Sequence, residues 1–86
     1  MPNDGQAWMN LGISYAAVRR YDEASEALGR AVEMRPGDGH AWYNLGILYV
    51  LTQRWDRLPE VERRLRAIDP EVADRLTRLI ARAKAG

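Results

Sequence analysis

Apolar residues recur along this chain at helical rather than alternating spacing. Trp8, Leu11 and Tyr15 fall at i, i+3 and i+7, and Trp42, Leu45 and Tyr49 do the same. That spacing lines one face of a helix. Ala24, Ala27, Leu28 and Ala31 make a second stripe, and Leu58, Val61, Leu65 and Ile68 a third. Val72, Leu76, Leu79, Ile80 and Ala83 share one face of a last segment, with Asp74, Arg75, Arg78 and Arg82 on the other. The pattern predicts five helices, at about 4–19, 22–34, 38–53, 56–68 and 70–84. Asp22 and Asp56 stand where N-caps belong, able to accept backbone N–H groups left free in the first turn. Asp38, within "RPGDG", and Asp69, ahead of Pro70, follow the same logic. Pro59 falls three residues after Asp56, in a first turn that loses no intrahelical bond.

The stripes repeat. "PNDGQAWMNLGISY" (2–15) and "PGDGHAWYNLGILY" (36–49) agree at ten of fourteen positions with a shift of 34. The same shift relates Tyr21 to Trp55, Asp22 to Asp56, Arg30 to Arg64 and Pro36 to Pro70. Agreement fades after Asp56. Gly12 and Gly46 fall on the packing face of their helices, where glycine costs about 0.5–1 kcal/mol against alanine. The expected return is close approach of another helix. The domain reading is one unit over 1–86: repeat one at 2–35, repeat two at 36–69 and a closing helix at 70–86.

Trp-x-x-Leu-Gly-x-x-Tyr, followed by Ala24, Leu28, Ala31 and Pro36 at this period, closely resembles the tetratricopeptide repeat. The second unit matches through Trp42, Leu45, Gly46, Tyr49 and Pro70. It departs at Leu58, Glu62 and Leu65, where the family pattern has small, large apolar and small residues. The resemblance implies an all-α protein, an α-α superhelix of two antiparallel pairs plus a capping helix. Its concave surface would be lined by the first helix of each pair. The implied work is binding another protein or peptide segment, without chemistry.

"HAWYNLGILYVL" (40–51) is apolar on almost every side, as a buried helix would be. Trp42, Leu45 and Tyr49 account for one face, and Leu48 is expected against the neighbouring unit. A second stripe remains: His40, Tyr43, Ile47, Val50 and Leu51. Its counterparts in the first unit are Gln6, Met9, Ile13, Ala16 and Ala17. The resemblance places these on the concave groove, with Asn10 and Asn44 beside them. Met9, Ile13, Tyr43, Ile47 and Val50 would then form one apolar patch, of the kind that marks interaction sites. A closing helix could cover Tyr43 and Leu51 but hardly Met9. Asn10 and Asn44 either bond a bound backbone or are solvent-exposed residues inherited with the repeat. Some relatives clamp an acidic chain terminus with Lys, Asn and Arg. Only Asn44 and Arg78 fall at those positions here, and Asp74 reverses a needed charge, so the groove is expected to read apolar shape. The alternative use of the same patch is pairing with a second copy as a homo-oligomer. Two repeats plus a cap sit below the three that such stacks usually need, and self-association would relieve that.

Composition narrows the rest. With 47% hydrophobic and 29% charged residues the chain is globular, and it has no cysteine for disulfides, thiolate metal sites or a thiol nucleophile. The formal net charge of +1 gives no strong field toward nucleic acid or anionic membrane. Residues 1–53 hold 4 basic and 6 acidic side chains (−2), residues 54–86 hold 9 and 6 (+3). The arginines of the last two helices are interrupted by Glu60, Glu62, Asp69, Glu71 and Asp74, so nucleic-acid binding is not expected. No run approaches the roughly 20 apolar residues of a membrane span, and the N-terminus lacks a signal-peptide pattern, so a cytoplasmic protein is expected. His40 is the sole histidine, Ser14 and Ser25 have no base in pattern, and "GDG" (37–39) lacks the alternating acidic ligands of a calcium loop. No enzyme, cofactor or metal is expected.

Overall fold

The computed structural model describes residues 4–86, so Pro2, the start of the repeat comparison, lies outside the described residues. Five α-helices are present: α1 (Gly5–Ala17), α2 (Tyr21–Met34), α3 (Gly39–Leu51), α4 (Leu58–Ile68) and α5 (Pro70–Ala85). A single 3-10 turn at Trp55–Arg57 leads into α4, and no strand occurs among the described residues.

α1 and α3 each end two residues short of the predicted boundary, and the cause is shared. Arg19 and Gln53, related by the repeat shift, take the left-handed conformation with φ of 64° and 57°. The N–H of Arg20 reaches the carbonyl of Tyr15 at 2.9 Å, and that of Arg54 reaches Tyr49 at 2.8 Å. The N–H groups of Arg19 and Gln53 bond Ala16 and Val50 at 3.0 and 3.1 Å. Both helices thus close with a Schellman motif, built on Arg and Gln where glycine is usual. The reversal lays α2 back along α1 and α4 along α3.

The caps divide. Asp38 accepts from the His40 N–H at 2.9 Å, and Asp69 from Glu71 and Val72 at 3.1 and 3.4 Å. Asp4 caps α1 through the Ala7 N–H at 2.7 Å. Asp22 and Asp56 do not cap. α2 begins at Tyr21 after an uncapped Arg20, and Asp56 lies inside the 3-10 turn. The left-handed residue directs the chain straight into the next helix and leaves no extended cap position. Pro59 does sit in the first turn of α4.

Close approach follows from the glycines. A Cβ on Gly12 would meet Leu28 Cγ at 2.6 Å and the Leu28 backbone nitrogen at 3.2 Å, so α2 lies directly on α1. A Cβ on Gly46 would meet Leu76 Cδ2 at 2.7 Å and Val61 Cγ1 at 3.2 Å. Here two helices, α4 and α5, use the space. Leu58 and Leu65, which depart from the family pattern, are only 2% and 0% exposed. The added volume packs because α5 closes over α4. Glu62 stays at the rim and accepts a hydrogen bond from the Thr77 hydroxyl at 2.9 Å.

α1 touches α3 and α3 touches α5, whereas α2 and α4 do not meet. The stack is closed along α1, α3 and α5 and splayed along α2 and α4. Its inner curve therefore belongs to the first helix of each pair and the capping helix. The thinnest dimension, 17 Å, fits two helix layers packed about 8–10 Å apart.

Candidate interaction surface

α3 is the middle of the inner side, so its second stripe is the natural starting point. His40 is exposed, while Tyr43, Asn44, Ile47 and Val50 are half-buried and Leu51 is 57% exposed. On α1, Ile13 is 44% exposed, Gln6 and Asn10 are exposed and Ala16 is half-buried. Between the two helices lies a hollow of about 170 Å³, lined by Ile13, Ala16, Asn44, Ile47 and Leu51 and floored by Leu28 and Leu48. Its walls are apolar but for Asn44.

Met9 is corrected by the structure. It belongs to the buried core with 8% exposure and does not line an open groove. The closing helix was expected to cover Tyr43 and Leu51 but hardly Met9; it covers Tyr43 and does not reach α1, and the expectation fails at Leu51. Met9 is thus buried without help from α5, while Leu51 at the far end of α3 stays open. Val50 packs against the core as well. The open apolar surface is therefore shifted toward the C-terminal ends of α1 and α3.

Asn10 and Asn44 have partners within their own helices. Asn44 Nδ2 donates to the His40 carbonyl at 2.9 Å, and Asn10 Oδ1 accepts from Gln6 Nε2 at 3.0 Å.

The α5 edge was the part least visible in sequence. Arg75 places its guanidinium 5.7 Å from the Tyr43 ring centroid. A hollow of about 300 Å³ opens between α3 and the start of α5, lined by His40, Tyr43, Asp69, Val72 and Arg75. A second, about 240 Å³, lies beside Tyr43, Arg75, Arg78 and Arg82. A strict 34-residue shift of Gly39 would start α5 at residue 73, but it begins at Pro70, three residues early. Asp69 both ends α4 and caps α5, so no loop intervenes. Arg75, in the second turn of α5, lies over Tyr43. Asp74 pairs with Arg66 of α4 at 3.0 Å.

The tetratricopeptide repeat family model matches residues 9–73, more than half of the 86 residues. The chain belongs to the tetratricopeptide repeat family. None of the curated proteins compared matches it. Tetratricopeptide repeats are protein–protein interaction modules and are generally without catalysis. Among the described residues no cluster of three His, Asp or Glu could hold a metal. No described helix is long and apolar enough to cross a membrane. The signature residues have structural work in this tetratricopeptide domain. Trp42 is buried and its indole N–H donates to the Pro36 carbonyl at 2.8 Å, tying the repeat's start to its first helix. Arg30 and Arg64, one repeat apart, lie 5.9 and 5.6 Å over the rings of Trp8 and Trp42.

Proposed function

We propose that this tetratricopeptide module binds a protein segment along the open side of α3, between α1 and α5. The observation that carries the reading is the apolar hollow between α1 and α3 with Ile13 and Leu51 standing 44% and 57% exposed beside it. Burial of one large aliphatic side chain is worth about 1.5–3 kcal/mol. A small domain with a total stability of about 5–15 kcal/mol leaves such residues in water at a substantial loss. A bound segment recovers it. Tyr43 adds an aromatic surface whose ring is already held by Arg75, so little conformational freedom is lost on binding.

Tyr43→Ala tests the reading. Quantitative capture of a bound protein, set beside the melting temperature of the same variant, separates recognition from packing. The expected outcome is a capture loss of at least tenfold with a melting temperature lowered by only a few degrees. A large drop in melting temperature with capture retained assigns Tyr43 to the core and removes the reading.

A further inference from the structure

We infer that the Asp69–Pro70 step is a conformational stop that keeps this chain a closed monomer. With the stop relaxed, α4 and α5 become one straight helix and two copies exchange α5. The partner is a second copy, met through this helix pair and not through the groove.

Four observations carry the inference. First, α4 ends at Ile68 and α5 begins at Pro70, so a single residue makes the whole reversal. Second, the apolar stripe runs through that join in phase. From Val61 the steps of three or four residues fall on Leu65, Ile68, Val72, Leu76 and Leu79, as along one helix. The same walk from α2 into α3 lands on Arg35 and Asp38, inside a link that spans 35–38. Third, α5 runs antiparallel to α4 and its lead-in turn, as the pairs Arg66 with Asp74, Glu62 with Thr77 and Trp55 with Lys84 show. Two straight helices laid antiparallel and crossing at residue 69 place the α5 of one copy on the α4 of the other with those same partners. Leu76 then fills the space over Gly46 and Val61 of the second copy as it now does in its own. A helix over 58–85 is about 42 Å long. The whole molecule measures 38 Å, so a straightened α5 cannot return to its own chain. The packing is alike in both forms, and the join decides between them. Fourth, the join is built against the straight form. Asp69 is extended, with φ −153° and ψ 96°, and accepts the N–H groups of Glu71 and Val72. In a continuous helix the Pro70 ring would meet the Arg66 carbonyl and supply no N–H, and it disfavours helical geometry at Asp69. The apolar pattern thus favours one long helix, and these two residues oppose it. Exchange leaves the hollow between α1 and α3 whole, because its lining ends at Leu51, so the dimer carries two of them.

The double variant Asp69→Ala, Pro70→Ala tests this on the full chain. Size exclusion with light scattering reads the mass. NMR on an equal mixture of isotope-labelled and unlabelled chains, refolded together, reads the exchange. Wild type is expected to keep the 9.8 kDa of one chain. The double variant is expected to self-associate at least about a hundredfold more tightly, because the penalty of a helix-interior proline is gone. It is also expected to show NOEs between Leu76 methyls of one chain and Val61 methyls of another. Pro70→Ala alone, which keeps the Asp69 cap, is expected to fall between the two. Inserting Gly-Ser-Gly between positions 69 and 70 of the double variant is expected to restore the monomer. A double variant that stays monomeric, folded or unfolded, overturns the inference, since exchange would supply every contact that α5 makes. A dimer without interchain NOEs, or one that Ile47→Ser dissociates, overturns it as well and assigns pairing to another surface.

Discussion

At the scale of single residues, the two left-handed positions are where the chain departs furthest from its best local choice. Arg19 and Gln53 hold φ near +60° without the freedom of glycine, a conformation costing roughly 1–2 kcal/mol for most L-residues. Both are exposed, so nothing else fixes their identity. Gln53→Gly is expected to raise stability by about 0.5–1 kcal/mol in urea denaturation, with Arg19→Gly similar. Gly46 gives the opposite sign. Alanine there gains helix propensity of about 0.5–1 kcal/mol but drives a methyl into Leu76 and Val61. Overpacking of this kind costs about 1–3 kcal/mol, so Gly46→Ala should lower the midpoint of the same titration. The sequence showed these glycines on the packing face. It did not show that Gly46 serves the capping helix as well as its own pair, because that depends on where α5 begins.

At the scale of elements, the aspartates separate what pattern can and cannot say. Four of them looked alike as caps, and two are. Asp69 accepts two N–H groups at the start of α5, so Asp69→Ala should cost about 1 kcal/mol. Asp56 lies in an uncapped 3-10 turn, and Asp56→Ala should stay within about 0.5 kcal/mol of wild type by thermal denaturation. Hydrophobic periodicity located all five helices, since each buries a stripe. Their ends were less legible, because the backbone reversal at Arg19 and Gln53 and the loop-free join at Asp69 leave no mark in the apolar pattern. α5 is also structurally indispensable: Leu76 is fully buried against the Gly46 region. Leu76→Ala should cost about 2–5 kcal/mol, a large share of what a small domain has.

At the scale of the whole molecule, the repeat is the most legible feature and the open surface the least. A 34-residue period with tryptophan, leucine, glycine and tyrosine in register specifies the stack before any coordinate is seen. Which apolar residues remain open depends on how far each inner helix is covered by the next. Met9 disappears under that packing, while Ile13 and Leu51 stay out. The self-pairing alternative makes a separate demand on the molar mass. With a protein segment as the partner, light scattering should give a monomer across a dilution series. A dimer that dissociates when Ile47 becomes serine would mean that the surface serves a second copy. The central claim, that the open side of α3 is there for recognition and not for packing, is tested most directly by the double variant Ile13→Ser, Leu51→Ser. Both side chains are already largely in water, so thermal unfolding should shift by no more than about 4 °C while quantitative capture of the bound protein falls at least tenfold. Capture at the wild-type level, with or without a fall in melting temperature, would contradict the account.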